Sequence, residues 1–410
     1  MTETGFEEQV THTGGDEPTG SAFNSKFIVR GGVSRAMKAI FEQNFIPWKL
    51  RERNSDFEPV VANQKSVKHI EITQTKKDKK STFKPLAGQV DESYSLNIMT
   101  NGKVTIKAAS STGVLHGLES FLQLFFKHSQ GDYWYTPHAP VAIEDSPKFP
   151  HRGILMDVAR NWFEVEDIKR TIDGMAMSKM NRLHLHITDS QSWPLEIPSL
   201  PKLAEKGAYR KGLSYSPKDI AGIYEYGIAR GVETIMEIDM PGHIGVVELA
   251  YPDLITAYNE KPYDQYCAEP PCGAFRLNST KVYSFLDELF DDLLPRISPY
   301  TAYFHTGGDE LNRNDSELDP TVGSNETSVI APLLQKFIDF THKKVRTAGL
   351  VPFVWEEIVT DWNITLGKDV VVQSWLGDNA VKVLAEGGHK VIDSDYHFWV
   401  SVSCRVTSSS

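Results

Sequence analysis

Residues 305–310 (His-Thr-Gly-Gly-Asp-Glu) are the part of the chain whose residue types are best suited to chemistry. Two adjacent carboxylates, Asp309 and Glu310, follow a glycine turn at the end of an apolar run at residues 302–304. Neighbouring residues of a strand point to opposite faces, so this pair is poorly placed to flank a glycosidic bond as acid and nucleophile. If Glu310 is the acid, the nucleophile comes from elsewhere, and the 2-acetamido group of the sugar itself is the known exception. The pattern favours an N-acetylhexosamine substrate; a pair that caps the next helix is the alternative.

Four further stretches, at residues 151–157, 181–189, 240–243 and 354–357, accompany this run in order along the chain. Together they resemble the family 20 glycoside hydrolases, the β-N-acetylhexosaminidases, and most closely their secreted fungal branch. The resemblance extends from about residue 25 to Trp399. It implies an exo-acting, retaining enzyme that removes terminal GlcNAc or GalNAc from oligosaccharides or glycans through an oxazolinium-type intermediate. It implies no cofactor and no metal.

The resemblance gives four residues a catalytic role. Glu310 is expected to be the general acid/base, which needs a carboxyl pKa raised toward the working pH. Asp309 is expected to orient the acetamido group and to stabilise the charge that develops on its nitrogen, so it must stay ionised. Asp189 and His243 match a relay in which the aspartate holds the imidazole and the imidazole meets the acid. A loop histidine without a role is the alternative for His243.

Three residues match substrate-binding positions of the family. Arg152 matches an arginine that binds ring hydroxyls, since a planar guanidinium can donate to two hydroxyls at once. A structural ion pair is the alternative. Trp355 and Trp375 match tryptophans that wall the acetamido methyl and the sugar face; buried barrel core is the alternative. Glu356 and Glu357 extend the acidic mouth and have no assigned role.

The second part of the chain alternates short apolar strands with amphipathic helices, which is typical of a parallel α/β fold. We predict seven strands, near residues 153–157, 182–188, 233–239, 302–308, 352–355, 370–374 and 389–393. A (β/α)₈ barrel would carry its chemistry at the C-terminal ends of these strands, where every suspected functional residue except Arg152 falls. His184 and His186 alternate with leucines, and we interpret them as polar layer packing rather than metal ligands; His305 braces the turn.

The domain prediction has four parts. Residues 1–24 are expected to be disordered, residues 25–147 to form a small α+β domain that resembles zinc protease folds, and residues 148–399 to form the barrel. Within the first domain we expect helices at residues 36–45 and 112–126 and strands near residues 67–73, 94–99 and 103–107. No His-Glu-x-x-His motif occurs in the chain, which agrees with the absence of a metal from the corresponding family module.

The resemblance stops after Trp399. The family places a tyrosine and, two residues on, an aspartate where this sequence has Val400 and Val402. Residues 400–410 are an aberrant Ser-rich tail, and the eighth barrel unit is missing from the sequence as written. We therefore expect a frameshift, a retained intron or an alternative end, and a poorly soluble or inactive product.

Composition limits the classes of partner and compartment. The 410 residues are 40% hydrophobic and carry a net charge of −11, which disfavours nucleic acid as a partner. No apolar run of membrane-spanning length appears, and the first residues do not form a signal peptide. Sequons at Asn278, Asn314, Asn325 and Asn363 nevertheless indicate a secreted glycoprotein. Cys267 and Cys272 could form a disulfide, which leaves Cys404 unpaired. Family relatives are commonly dimeric, so a homodimer is possible.

Two other functions are alternatives, and only the first remains open. One is a sugar-binding or non-functional product that kept the acid and lost half of the pocket. The other, an endo-acting chitinase, requires an Asp-x-x-Asp-x-Asp-x-Glu run that the chain does not contain.

Overall fold

The computed structural model describes residues 10–13, 23–43, 51–60, 62, 64–67 and 69–395. The chain forms two compact units. The first extends to Ile154 and adds Glu164–Leu183 and Gly222–Thr234; the second comprises Leu155–Phe163, His184–Ala221 and the residues from Ile235 onward. The tail predicted after Trp399, with Cys404, lies outside the described residues. The domain boundary predicted between residues 147 and 148 stays a prediction.

The first unit is built on a five-stranded sheet and two long helices. Its elements are β1 (Val10–Thr13), α1 (Ser25–Phe41), β2 (His69–Gln74), β3 (Tyr94–Ile98), β4 (Lys103–Ala108), α2 (Ser111–Gln123), β5 (Phe126–Lys127), β6 (Trp134–Tyr135) and β7 (Val141–Asp145), with a 3-10 turn at Lys80–Phe83. The sheet order is β1-β2-β4-β3-β7. Strands β2 and β3 bury every second residue, as the alternating sequence predicts. Expecting disorder for all of residues 1–24 was wrong for Val10–Thr13, which pair with β2 through the backbone.

Helix α1 begins earlier than the sequence indicated. The predicted span of residues 36–45 covers only its last six residues, because the pair Gly31-Gly32 reads as a helix breaker in sequence. Asn24 caps the true start by accepting a hydrogen bond from the backbone N–H of Phe27 at 2.7 Å. A Cβ at Gly32 would lie 2.4 Å from a methyl group of Leu115, so this glycine lets α1 pack closely on α2.

A seven-stranded sheet with intervening helices follows in the chain. The elements of this part of the chain are β8 (Gly153–Asp157), α3 (Val165–Met177), β9 (Arg182–Thr188), α4 (Lys202–Gly207), α5 (Pro217–Ile228), β10 (Glu233–Ile238), β11 (Ile255–Thr256), β12 (Ala274–Phe275), α6 (Thr280–Ile297), β13 (Tyr303–His305), α7 (Arg313–Leu318), α8 (Thr327–Thr347), β14 (Val351–Trp355), α9 (Glu357–Thr360), β15 (Val371–Ser374), α10 (Asp378–Glu386) and β16 (Lys390–Asp393). Strands β11 and β12 pair with each other in a separate antiparallel sheet. Short 3-10 turns occur at Gly245–Leu249, Pro252–Leu254 and Tyr263–Gln265.

The order of this sheet, β16-β15-β14-β13-β10-β9-β8, follows the chain, and the pairings from β10 to β16 are parallel. This confirms the predicted α/β barrel-type fold and all seven strands; β10, β15 and β16 are each one residue shorter than predicted, and β13 is four residues shorter. Every residue of β9 and β10 is buried, as expected for central parallel strands covered on both faces. Strands β8 and β16, which each have one neighbour among the described residues, are more exposed.

No helix in the described part of the chain has the length and apolar character needed to cross a bilayer.

Candidate active site

The carboxylates of Asp309 and Glu310 lie on a turn directly after β13. Gly307 and Gly308 have φ values of 71° and 111°, which glycine adopts without strain. A Cβ at Gly307 would lie within 1.7 Å of Asp239 Oδ1, so no other residue fits there. Glu310 itself has a φ of 51°, an uncommon conformation for a residue with a side chain. The turn therefore places both carboxylates beyond the C-terminal edge of the sheet, where barrel enzymes hold their catalytic groups.

The imidazole of His243 connects the four residues predicted to be catalytic. Its Nε2 lies 3.3 Å from Glu310 Oε2 and 3.7 Å from Asp309 Oδ2, and its Nδ1 lies 3.4 Å from Asp189 Oδ1. Burial lowers the pKa of His243, but Asp309, Asp239 and Asp189 outweigh it and raise that pKa well above its usual value. A cationic imidazole therefore faces Glu310. The structure brings the four residues together, while their catalytic roles stay predictions.

Asp189 is fully buried and surrounded by donors. Its Oδ2 lies 2.6 Å from His186 Nε2 and 2.8 Å from Arg160 Nη2, and its Oδ1 accepts from the backbone N–H of Ser190 at 2.6 Å. Burial raises the pKa of Asp189, but His243 and His186 reverse the shift and leave that pKa well below its usual value. Asp189 is thus an anion that holds the Nδ1 side of His243.

A polar layer lies beneath these groups, as predicted for the histidines of β9. Glu237 lies 2.8 Å from His184 and from His186, lies 3.2 Å from His305, and accepts a hydrogen bond from Trp355 Nε1 at 2.7 Å. His186 has a carboxylate oxygen at each ring nitrogen, Glu237 on one side and Asp189 on the other, so both nitrogens are donors. Burial lowers the pKa of His186, and these two carboxylates outweigh it and raise that pKa.

Three groups of side chains among the described residues have the spacing of metal ligands. They are His184 with Glu237 and His305, His186 with Glu237 and Asp239, and Asp239 with His243 and Asp309. Glu237 already accepts from imidazole and indole N–H groups, which accounts for the first two groups as a hydrogen-bonded layer. The prediction that the protein binds no metal stays a prediction.

Asp239, which sequence reasoning missed, lies behind Asp309. Its side chain is fully buried, and its Oδ1 accepts from the backbone N–H of Gly308 at 2.9 Å. The Oδ2 atom of Asp239 and the Oδ1 atom of Asp309 are both buried, and neither has a hydrogen-bond donor among the described residues. Burial first, and then Asp309, raise the pKa of Asp239 well above its usual value. A protonated Asp239 that donates to Asp309 satisfies both oxygens and leaves one negative charge on the pair.

We expect Asp239→Asn to retain function, because an amide can donate to Asp309 and accept from Gly308 as the neutral acid does, whereas Asp239→Ala loses both contacts. A carboxyl whose folded pKa exceeds its unfolded value binds protons preferentially in the folded state, so its contribution to stability falls as pH rises above about 4. Asparagine does not titrate. The melting temperature of Asp239→Asn relative to the parent should therefore increase between pH 5 and pH 8; a constant difference would show that Asp239 is ionised throughout this range.

The structure does not bring Arg152 together with the predicted catalytic residues, and its role in substrate binding stays a prediction. Its guanidinium forms an ion pair with Glu92, at 2.7 Å from Nη2 to Oε1, and donates to the backbone carbonyls of Lys179 and Phe149 at 2.7 and 2.6 Å. These partners all belong to the first unit. Arg152 precedes β8 and so lies at the N-terminal end of its strand, away from the edge that carries the carboxylates. These contacts agree with the alternative, a structural ion pair.

Arg160, which sequence reasoning missed, lies beside the buried Asp189. It follows the C-terminal end of β8, and its guanidinium lies 2.9 Å from Asp157, 2.8 Å from Asp189 and 2.9 Å from Glu269. Glu269 reaches it from a loop closed by the predicted disulfide between Cys267 and Cys272, which the structure confirms. The sequence signal was available: an Asp-x-x-Arg run immediately after a predicted barrel strand.

The two tryptophans lie at the ends of neighbouring strands. Trp355, at the end of β14, is 8% exposed and lies beside the rings of His184 and His305. Trp375 follows β15, is half-buried, and donates its indole N–H to Glu357. Both positions are compatible with the predicted wall of a sugar pocket, and that role stays a prediction for each.

The four sequon asparagines differ in their surroundings. Asn278, Asn325 and Asn363 are exposed and Asn314 is half-buried. The Nδ2 of Asn314 donates to the Gln265 carbonyl at 2.8 Å, and that of Asn278 donates to the Thr321 carbonyl at 3.3 Å. Glycosylation at any of the four stays a prediction.

Comparison with known families gives a consistent result for both parts of the chain. Residues 149–401 match the model of the glycosyl hydrolase family 20 catalytic domain, and residues 4–124 match a model described as beta-acetyl hexosaminidase like. A beta-hexosaminidase of Arthroderma benhamiae is 42% identical over 92% of this chain and 64% of its own length. A chitooligosaccharidolytic beta-N-acetylglucosaminidase of Ostrinia furnacalis is 33% identical over 75% of this chain and 55% of its own.

A solved structure extends the likeness to three dimensions. The chitobiase of Flavobacterium johnsoniae superposes with a TM-score of 0.74 at 30% identity, covering 96% of this chain and 56% of that protein. The chain thus spans about half to two thirds of the length of the relatives that it matches.

Proposed function

The chain belongs to glycosyl hydrolase family 20, and from this premise we propose that the site around Glu310 hydrolyses the bond to a terminal β-linked N-acetylhexosamine. The observation that carries the proposal is the position of His243, which lies between the buried anion Asp189 and the pair Asp309 and Glu310. This arrangement provides one solvent-accessible acid, one shielded anion and a cation that couples them.

Glu310 acts as the general acid and then as the base. Its side chain is 28% exposed, the most open of the four residues, so it can reach the departing glycosidic oxygen. It donates a proton to that oxygen and afterwards removes one from the attacking water. The contact of His243 with its carboxylate orients the group.

Asp309 acts on the substrate's acetamido group. The carbonyl oxygen of that group attacks C1 as the leaving oxygen departs, and positive charge develops on its nitrogen. Asp309 accepts a hydrogen bond from the acetamido N–H and stabilises this charge, for which the carboxylate must be ionised. A proton held by the buried Asp239 leaves the charge on Asp309. Water then opens the oxazolinium ring at C1, and the β configuration is retained.

Arg160, together with Trp355 and Trp375, binds the sugar. The guanidinium is held by Asp157, Asp189 and Glu269, and in this proposal it donates to ring hydroxyls of the bound sugar. The tryptophans supply apolar faces for the acetamido methyl and the ring.

We expect Arg160→Gln to lower kcat/KM by about 10- to 100-fold, the effect of losing a charge-assisted hydrogen bond. Arg152→Gln is the matched control, because the same substitution there breaks an ion pair that lies at the other end of the strand. It should lower the melting temperature and leave kcat/KM near that of the parent. Equal losses of kcat/KM in the two variants would contradict the assignment of Arg160.

The substrates proposed are N-acetylhexosamine-terminated oligosaccharides or glycans, including chitin oligomers such as those named for the Ostrinia relative. Secretion as a glycoprotein is proposed from the four sequons and the disulfide. A homodimer is proposed from the family alone, and size-exclusion chromatography with light scattering tests it.

Sugar binding without turnover is the second candidate function, as the sequence left it open. Hydrolysis of an aryl β-N-acetylglucosaminide separates the two functions. The proposed enzyme cleaves this substrate and is competitively inhibited by a thiazoline analogue of the oxazoline intermediate. Thiazoline binding in calorimetry with no detectable cleavage would favour the binding protein.

A further inference from the structure

Two consecutive glutamates, Glu356 and Glu357, follow β14 and hold Trp375, the residue directly after the neighbouring strand β15. Glu356 is fully buried, and its Oε1 accepts from the backbone N–H groups of Trp375 and Leu376 at 2.8 and 2.6 Å. Its Oε2 accepts from the hydroxyl of Ser374 at 3.0 Å. Glu356 thus fixes the backbone of the turn after β15.

Glu357 holds the side chain of Trp375. Its two carboxyl oxygens each lie 3.0 Å from Trp375 Nε1, and its side chain is 5% exposed. A tryptophan side chain has two rotatable bonds, so fixing the backbone and the indole N–H together leaves the ring plane one orientation. Both contacts come from adjacent residues of one buried turn, which makes that turn a rigid support for the ring.

We propose that Glu357 is a positioning residue that sets the orientation of Trp375 and thereby the length of N-acyl group that the site accepts. The inference rests on the proposed function, in which Trp375 walls the acetamido methyl. If the indole is fixed, the wall is rigid and an acyl chain longer than acetyl does not fit. If the indole is released, the ring can rotate and the pocket becomes deeper.

The charge state of Glu357 is compatible with this role. Burial first, and then Asp309, raise the pKa of Glu357 to about 8, with Glu356 adding a smaller effect in the same direction. At neutral pH the group is therefore a neutral acid that can accept the indole N–H without placing a second anion beside Asp309. Above that pH its ionisation brings two like charges together at the acetamido site.

The test compares Glu357→Gln with Glu357→Leu on aryl glucosaminides that carry N-acetyl, N-propionyl or N-butyryl groups. Glutamine keeps an oxygen acceptor for the indole, so the acetyl-to-propionyl ratio of kcat/KM should stay within about threefold of the parent ratio. Leucine has no acceptor, and the ratio should fall by about tenfold, the effect of one lost hydrogen bond. An unchanged ratio in Glu357→Leu, or the same loss in both variants, would overturn the inference.

A double-mutant cycle with Trp375→Phe separates positioning from a general loss of packing. Phenylalanine has no N–H, so if Glu357 acts through the indole, adding Glu357→Leu to Trp375→Phe should change the acyl selectivity no further. Additive effects would contradict the inference. The melting temperature of each variant shows whether Glu357→Leu folds. If Glu357→Leu does not fold, Glu357→Gln and Trp375→Phe still give a decision, because the inference requires these two variants to differ in acyl selectivity.

Failure of the proposed function would be visible separately. If the parent chain does not hydrolyse the N-acetyl substrate, the same comparison is made by calorimetry with thiazolines derived from the N-acetyl and N-propionyl sugars. The inference then requires that the parent prefer the smaller thiazoline and that Glu357→Leu reduce the preference. Equal binding of the two thiazolines by the parent would overturn it.

Discussion

Replacing Glu310 with glutamine is expected to lower kcat by about 10²- to 10⁴-fold, the range that a general acid contributes. The amide has nearly the shape of the carboxyl group, so the contact with His243 and the binding of the sugar should survive, and only proton transfer is lost. The measurement is kcat for an aryl β-N-acetylglucosaminide, with thiazoline affinity measured by calorimetry as the control for binding.

The leaving group provides a sharper form of this prediction. A dinitrophenyl leaving group needs little protonation, so Glu310→Gln should impair its release far less than that of a methylumbelliferyl or sugar leaving group. Equal losses across leaving groups would contradict a role in protonation. A kcat close to that of the parent would remove Glu310 from the mechanism altogether.

Replacing Asp309 with asparagine is expected to lower kcat by about 10²- to 10³-fold, similar to the loss of another group that stabilises charge in a transition state. Asparagine can still contact the acetamido group but cannot balance the positive charge on its nitrogen. The side chain is 17% exposed and close to His243 and Asp239, so water does not replace the missing charge efficiently.

Substrates with N-fluoroacetyl and N-trifluoroacetyl groups test the same step from the side of the sugar. Fluorine makes the acyl oxygen a weaker nucleophile, so kcat/KM of the parent should fall along the series from acetyl to trifluoroacetyl. A rate that does not change along the series would show that the acyl oxygen is not the nucleophile.

The strands of the sheet were predictable because they are buried. Parallel strands covered on both faces have largely apolar sequences, and β14 has this pattern, whereas β9 and β10 carry the His and Glu side chains of the polar layer between apolar residues. The start of α1 was not predictable from periodicity, because the glycine pair reads as a helix breaker in sequence, and the close packing of Gly32 on α2 is visible only in the structure. The strand at Val10–Thr13 depends on pairing with β2, more than fifty residues away in sequence.

The site was predictable where a residue lies next to a strand end and not where its role depends on a partner distant in sequence. Asp309, Glu310, His243 and Asp189 follow strands, and the structure brings them together. Arg152 lies just before β8 and Arg160 just after it, so only the end of the strand at which each arginine lies distinguishes them. The raised pKa of Asp239 results from burial and from the neighbouring Asp309, neither of which a sequence displays.

The most direct test of the account is to follow hydrolysis of an aryl β-N-acetylglucosaminide by proton NMR, with the matching aryl β-glucoside, which lacks the acetamido group, as the control. The account predicts that the N-acetyl compound is cleaved, that the first sugar released is the β-anomer, and that the glucoside is not cleaved. Release of the α-anomer first, or cleavage of the glucoside at a similar rate, would show that the acetamido group is not the nucleophile and would contradict the mechanism proposed for Asp309 and Glu310.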